Sequence, residues 1–266
     1  MIDKIPLSQP DISEKEIDYV NQVLRSGVLS IGPVIRKFEQ QVSEYIGVKH
    51  AIAVNSGTSA LHLMIRACGI EEGDEVITTP FSFIASTNCI LFERGKPVFV
   101  DIDPRTFNLD ISQIEAKITP RTKAILPVDV FGQPFDIDAV NDIARRHNLT
   151  VIQDSCEALG SAWKGKKVGS QSKVAAFAFY PNKQITTAEG GIIVTNDDNI
   201  ADLCRSMRSQ GRAITGTWLE HERLGHNYRF SEVHAAIGVA QMERIDEIIA
   251  SRQRVAQMYS ERLQHI

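Results

Sequence analysis

The chain has 266 residues, 43% of them hydrophobic, and carries a formal net charge of −4 with 23% charged residues. That is enough apolar content for a sizeable core in one large domain or two small ones, and the mild acidity leaves no electrostatic footprint for nucleic acid or a membrane surface. Four scattered cysteines without a CxxC, no basic-then-apolar leader, and no apolar run near the roughly 20 residues that span a bilayer predict a reduced, cytoplasmic chain.

In chain order, DISEKEIDYVNQVLRSG predicts a helix, because Ser13-x-x-Glu16 is a capping box and Gly27 a C-terminal stop. VIRKFEQQVSEYIG predicts a second amphipathic helix ending at Gly47. HAIAV reads as a short buried strand, SALHLMIRACGI as a helix, DEVITTP as a strand, FIASTNCILFERG as a helix and KPVFVDID as a strand. KAILPVDVFG and LTVIQD are strands on either side of the helix DIDAVNDIARRHN. The runs VAAFAF and IIVTND read as two further buried strands, with FYPNKQITTAEGG between them. Strands alternating with helices predict an α/β fold with a mostly parallel sheet, and unbroken apolar runs predict strands covered on both faces. From Ser231 to Ile266 nothing breaks a helix and no stop signal closes the pattern, which predicts one long helix leading into a further domain.

Three places can carry chemistry. Asn55-Ser56-Gly57-Thr58 follows a strand and opens a helix, where unpaired N–H groups and the positive end of the dipole suit a phosphate; an ordinary N-cap is the plainer alternative. Asp154 stands at the carboxyl end of a strand, where open α/β sheets place their ligands, although such an Asp often only caps the next turn. Lys183 sits between two apolar strands, with Gly190 and Gly191 beside it to relieve crowding; the alternative is a loop lysine in solvent. Other phosphate motifs fail: no GxGxxG follows a strand, which removes a nicotinamide oxidoreductase, and GSAWKGKK puts Lys167 where a P-loop needs Ser or Thr, so it reads as a basic surface hairpin. No metal is expected, since His221 and His226 in HERLGH make no convincing pair of ligands. A phosphate cradle, a strand-end Asp and a lysine together form the kit for pyridoxal 5′-phosphate (PLP).

The segments NSGTSALHL, ITTPFSFIAS, VDVFGQPFDID, IQDSCEALGS, FYPNKQITTAEGGIIVTN, RSQGR and NYRFSEVHAAIGVAQ resemble the DegT-type (DnrJ/StrS-like) sugar aminotransferases, in that family's order from about Ile5 to Arg244. The resemblance implies the aspartate-aminotransferase fold (fold type I), with a mostly parallel seven-stranded sheet in a PLP-binding domain over residues 1–240. Residues 241–266 are then a long helix leading to a truncated small C-terminal domain. It implies Lys183 as the Schiff-base lysine, delivered by its strand, and Asp154 as partner of the pyridinium nitrogen. Ser56, Gly57 and Thr58 become the phosphate cradle and Phe83 a ring that stacks on the cofactor. Glu157 lies close to cofactor and sugar, and Asn227 reaches the cofactor phosphate of a neighbouring subunit, which makes a homodimer with shared sites. In the family a Ser usually stands five residues before the lysine and donates to the phosphate; here that place is Ala178. A related branch that removes a sugar hydroxyl has histidine in place of the lysine.

The activity so implied is amino transfer from glutamate, leaving 2-oxoglutarate, to a keto group of a nucleotide-linked 6-deoxyhexose for polysaccharide or lipopolysaccharide synthesis. Lys183 would serve as general base and acid, with ping-pong kinetics. The alternatives at this point are a non-catalytic regulator on the same fold and an inactive fragment of such an enzyme.

Overall fold

A computed structural model describes residues 6, 8–215, 217 and 219–265 of the chain. Ile5, Gly216 and Trp218 of the TGTWLEHERLGHNYR segment, and Ile266 lie outside these residues. Helix α1 (Glu14–Ser26) starts at the predicted capping box, with Ser13 and Glu16 satisfying each other's backbone, and stops at Gly27 in the left-handed conformation. Helix α2 (Pro33–Ile46) ends on Gly47 in the same way. The chain continues through β1 (His50–Val54), α3 (Gly57–Ala67), β2 (Glu75–Thr78), α4 (Ala85–Phe92), β3 (Lys96–Phe99), β4 (Thr122–Ile125), α5 (Ile137–His147) and β5 (Thr150–Asp154). A hairpin of β6 (Ala162–Trp163) and β7 (Lys166–Lys167) turns on Lys164 and Gly165, both at positive φ, and is the surface element expected of GSAWKGKK. Then come β8 (Val174–Ala178), β9 (Gly191–Thr195), α6 (Asp198–Met207), α7 (Glu232–Met242) and α8 (Ile245–Leu263).

Seven strands form one sheet in the order β1-β9-β8-β5-β4-β2-β3, in which β9 alone runs against the others. Alternate residues of the strands go to opposite layers. Ile52, Val54, Ala176 and Ile193 pack with Leu61 and Met64 of α3 and Cys204 of α6. Ala51, Ala53, Phe177, Ile192 and Val194 pack with Phe38 of α2 and Val239 of α7. Burial on both faces explains why the strands read as unbroken apolar runs.

The single helix predicted from Ser231 to Ile266 is two helices. The chain bends at Glu243 and Arg244, where Arg244 leaves helical geometry (φ −118°, ψ 8°) without any Gly or Pro. Side chains set the bend. The Arg244 guanidinium reaches Glu16 and Asp11 beside α1, while Met242, Ile245 and Ile248 all turn into the core. Glu16, 1% exposed, is the centre of that junction. Its burial opposes ionisation, but hydrogen bonds from Ser13 and Gln241 outweigh it and hold the carboxyl at about 2.

Candidate active site

The cradle segment is built by β1 running into α3. Ser56 is the N-cap: its hydroxyl accepts the Ser59 N–H at 3.0 Å, and the Ser59 hydroxyl donates to Asn55 Oδ1 at 2.6 Å. This cap leaves the Gly57 and Thr58 amides at the open head of the helix, outside its hydrogen-bond ladder. A Cβ on Gly57 would stand 2.7 Å from Ala178 Cβ and 3.2 Å from Cys156 Sγ, so only glycine lets these three segments meet. A Cβ on Gly191 would overlap the Ser56 carbonyl, which is the crowding that the Gly190-Gly191 pair relieves. The strand registers explain this convergence: Val54, Gly191 and Ala178 stand opposite one another on the last rung of β1, β9 and β8.

Asp154 is the last residue of β5 and 4% exposed. Its carboxylate accepts the Ser86 hydroxyl at 2.6 Å and the Cys156 N–H at 3.1 Å. Ser86 is a site residue that sequence reasoning missed, since nothing in ASTN marks it. Its position is set by the Phe83 carbonyl, which accepts the Ser86 N–H at 3.2 Å. Phe83 lies at the mouth of this turn and is 76% exposed.

A second carboxylate, also missed, lies behind the first. Asp129 donates its N–H to the Asp154 carbonyl and accepts from Ser155, Gln153 and the Phe135 amide. Burial pushes its carboxyl up to about 7, the three donors acting against that and the nearby Asp154 charge with it. The folded state therefore holds this proton more tightly than the unfolded chain does. The stability it contributes declines as pH rises from the ordinary carboxylate range through about 7.

Lys183 lies between the two apolar strands, as expected, in the loop that joins β8 to β9, where its N–H donates to the Tyr180 carbonyl at 2.9 Å. The Lys183 ammonium donates to Glu157 Oε1 at 2.9 Å, with the lysine side chain 16% exposed. Glu157 Oε2 in turn accepts the Phe131 N–H at 3.1 Å. Phe131 holds φ +54°, a strained value for a bulky residue, and this amide contact accompanies it. Gln184 donates to the Glu157 carbonyl and Arg252 of α8 to the Lys183 carbonyl, so the loop is pinned on both sides. A groove of about 470 Å³ is lined by Pro181, Lys183, Gln184, Arg252 and Tyr259.

The structure thus brings Gly57, Asp154, Cys156, Glu157 and Lys183 together. Asn227 lies apart from them: it is exposed, bridged to Ser209, and followed by Tyr228, whose carbonyl accepts the Asn55 N–H at 3.0 Å. The residues present fit PLP. The helix head closed to any Cβ at Gly57 suits a phosphate, the buried Asp154 supplies a carboxylate, and Lys183 supplies a primary amine.

A model of the DegT/DnrJ/EryC1/StrS aminotransferase family matches residues 10–266. The GDP-perosamine synthase of Caulobacter vibrioides is 48% identical over 261 residues, which is 98% of this chain and 70% of that one. Among solved structures, Helicobacter pylori PseC, an aminotransferase involved in the biosynthesis of pseudoaminic acid, superimposes with a TM-score of 0.95 at 34% identity, covering 99% of this chain and 71% of that one. A point mutant of a GDP-4-keto-6-deoxymannose-3-dehydratase (ColD) with bound GDP-perosamine gives 0.94 at 27% identity, with 99% and 74% covered.

Proposed function

Because the chain belongs to the DegT/DnrJ/EryC1/StrS aminotransferase family, we propose that it aminates a GDP-linked 4-keto-6-deoxyhexose at the expense of glutamate, with Lys183 as the reacting amine. The reaction class is PLP-dependent amino transfer to a nucleotide-linked sugar for glycan biosynthesis. One observation carries the assignment of residues: a lysine ammonium held 2.9 Å from Glu157, in the same cluster as a buried strand-end Asp154 and a helix head closed to any side chain at Gly57. The choice of GDP rests on the GDP-perosamine synthases, 48% and 43% identical to this chain.

When bound, PLP supplies an electron sink for the carbanion formed at the amino acid's α-carbon. The chain's residues have separate tasks. Ser56, Gly57 and Thr58 bind the phosphate through the α3 head. Asp154, oriented by Ser86 and the Cys156 amide, holds the proton on the ring nitrogen. Phe83, beside the Ser86 turn, covers one face of the ring. Lys183 Nζ takes the proton from the donor's α-carbon and returns one on the acceptor's side, as base and then acid. Glu157 orients that amine, gripping it through Oε1 while the Phe131 amide fixes Oε2. Asn227, exposed beside the cradle strand, serves the phosphate of a second copy in a homodimer, and a single-chain mass in solution would overturn that pairing.

The test is a panel of GDP-, UDP- and dTDP-linked 4-keto-6-deoxyhexoses, each with glutamate and PLP, following 2-oxoglutarate release. Turnover with the GDP sugar and ping-pong kinetics are expected. Preference for another nucleotide would sink the GDP assignment, and no turnover with any of them the whole reading.

Ala178 allows a gain-of-affinity experiment. Its Cβ faces the place where Gly57 lacks one, and a hydroxyl there adds a phosphate donor. Ala178→Ser is expected to tighten PLP retention about three- to tenfold, the net worth of one hydrogen bond of ~0.5–1.5 kcal/mol. Equilibrium dialysis against free PLP measures it, and weaker retention would mean that Ala178 packs against the cradle rather than lining it.

A further inference from the structure

Asp129 is fully buried and has no task in the chemistry, yet it touches both halves of the site. Its side chain holds the residues on either side of Asp154: Oδ2 accepts from Gln153 Nε2 at 2.8 Å and from the Ser155 hydroxyl at 2.7 Å. Its own N–H donates to the Asp154 carbonyl at 2.9 Å, so one residue grips three consecutive positions at the end of β5. Oδ1 accepts the Phe135 N–H at 3.2 Å. Asp129 also opens the single turn Val130–Gly132, and its carbonyl accepts the Gly132 N–H at 3.2 Å. That turn carries the Phe131 amide that fixes Glu157 Oε2, and Glu157 grips Lys183.

Burying a carboxylate is costly, so the residue type here needs a reason. The reason is the set of donors around it, because a carboxylate alone offers acceptor sites and nothing else. Asn would set its NH₂ against the Phe135 N–H or against Gln153, and the Gln153 amide is held in its present sense by the Ser172 hydroxyl, which donates to Oε1 at 2.8 Å. We propose that Asp129 is a positioning residue for amino transfer: as the carboxylate it fixes both the end of β5 that presents Asp154 and the turn that, through Glu157, aims the Lys183 amine, a role that rests on those given to Lys183 and Asp154. The charge facing Asp129 is that of Asp154 on β5; Gln153, Ser155, the Phe135 amide and Asn108, whose Oδ1 accepts the neighbouring Val130 N–H, are neutral. Burial and the Asp154 charge favour a proton on Asp129, the three donors favour the carboxylate, and the balance near 7 makes the clamp sensitive to pH. A proton on Oδ1 meets the Phe135 N–H, and one on Oδ2 displaces the bond donated by Ser155 or Gln153.

The glutamate half-reaction of the PLP-loaded protein, followed as 2-oxoglutarate released, tests this. In the wild type the limiting rate should fall as pH drops through about 7. Asp129→Asn, a permanent stand-in for the protonated acid, should lower the limiting rate about 10²-fold at about pH 8, as small misplacements of reacting groups do. Half-saturating glutamate should stay within about threefold, and the limb near 7 should be gone. Ser155→Ala keeps the acid but removes one donor to its charged form, and should move that limb up by about one pH unit. A further readout needs no turnover. The wild type's melting temperature should decline between about pH 5 and 7 more steeply than that of Asp129→Asn, because the folded chain holds this proton more tightly than the unfolded one. A variant rate within about threefold of wild type, or one lowered by the same factor at every pH with the limb kept, overturns the positioning role. A limb unmoved by Ser155→Ala, or equal melting slopes, overturns its control by pH. No release by the wild type, or undiminished release by Lys183→Ala, sinks the assignment of the reacting groups instead, and this role with it.

Discussion

Lys183→Ala is expected to lower kcat for amino transfer by about 10⁴-fold or more. General acid–base catalysis alone accounts for about 10² to 10⁴, and the variant also loses the covalent anchor. The experiment is clean because the fold should survive. Lys183 lies in a loop pinned by backbone contacts, and the Glu157 side chain that loses its partner is 36% exposed. Water can solvate that carboxylate, so the stability cost stays within the roughly 0–1 kcal/mol of surface pairs. A second readout needs no turnover. Borohydride reduction of the PLP-loaded wild type should leave a pyridoxyl mass on the peptide containing Lys183, and the variant should carry none. The same mass on another lysine, or activity within tenfold of wild type, would refute the assignment.

Asp154→Asn is expected to lower kcat about 10³-fold with the fold retained, in line with removal of a preorganised charge from a site closed to water. Asn keeps the shape but cannot balance a positive ring nitrogen. Its NH₂ would also face one of two donors, the Ser86 hydroxyl or the Cys156 amide. At 4% exposure that mismatch costs about 1–3 kcal/mol of stability. Cofactor should still bind through the α3 head, so PLP retention is expected to change far less than kcat. Dialysis and steady-state rates measured on one preparation separate the two. A kcat within threefold of wild type would remove Asp154 from its proposed role.

Much of the framework was legible because its signals are local. Ser13, Glu16 and Gly27 mark their helix ends by chemistry within one turn, and the runs HAIAV and VAAFA announce strands covered on both sides. Lys183, Asp154 and the Ser56-Gly57-Thr58 segment stood out by residue type at the ends of predicted elements, and the fold does bring them together. What stayed hidden depends on contacts between distant segments. Ser86 meets Asp154, Glu157 grips Lys183, and Gly57 touches Ala178 only because the sheet order places β1, β9, β8 and β5 side by side. The bend at Arg244 was illegible for the same reason. Its cause is Glu16 and Asp11, at the other end of the sequence, and not a breaker in the helix.

The shared rung of Val54, Gly191 and Ala178 has a consequence for how such a protein tolerates change. The cradle and the lysine loop leave the sheet from the same level of one backbone ladder, so the ladder acts as a ruler between them. Inserting one residue in β9 would shift that ruler by about 3.3 Å and turn Ile192 and Val194 to the wrong layer, damaging core and site together. Length changes in the 26–33 segment or between Gly211 and His226 leave the ruler untouched. Such loops can therefore gain or lose residues while the spacing of Ser56, Gly57 and Lys183 is inherited intact.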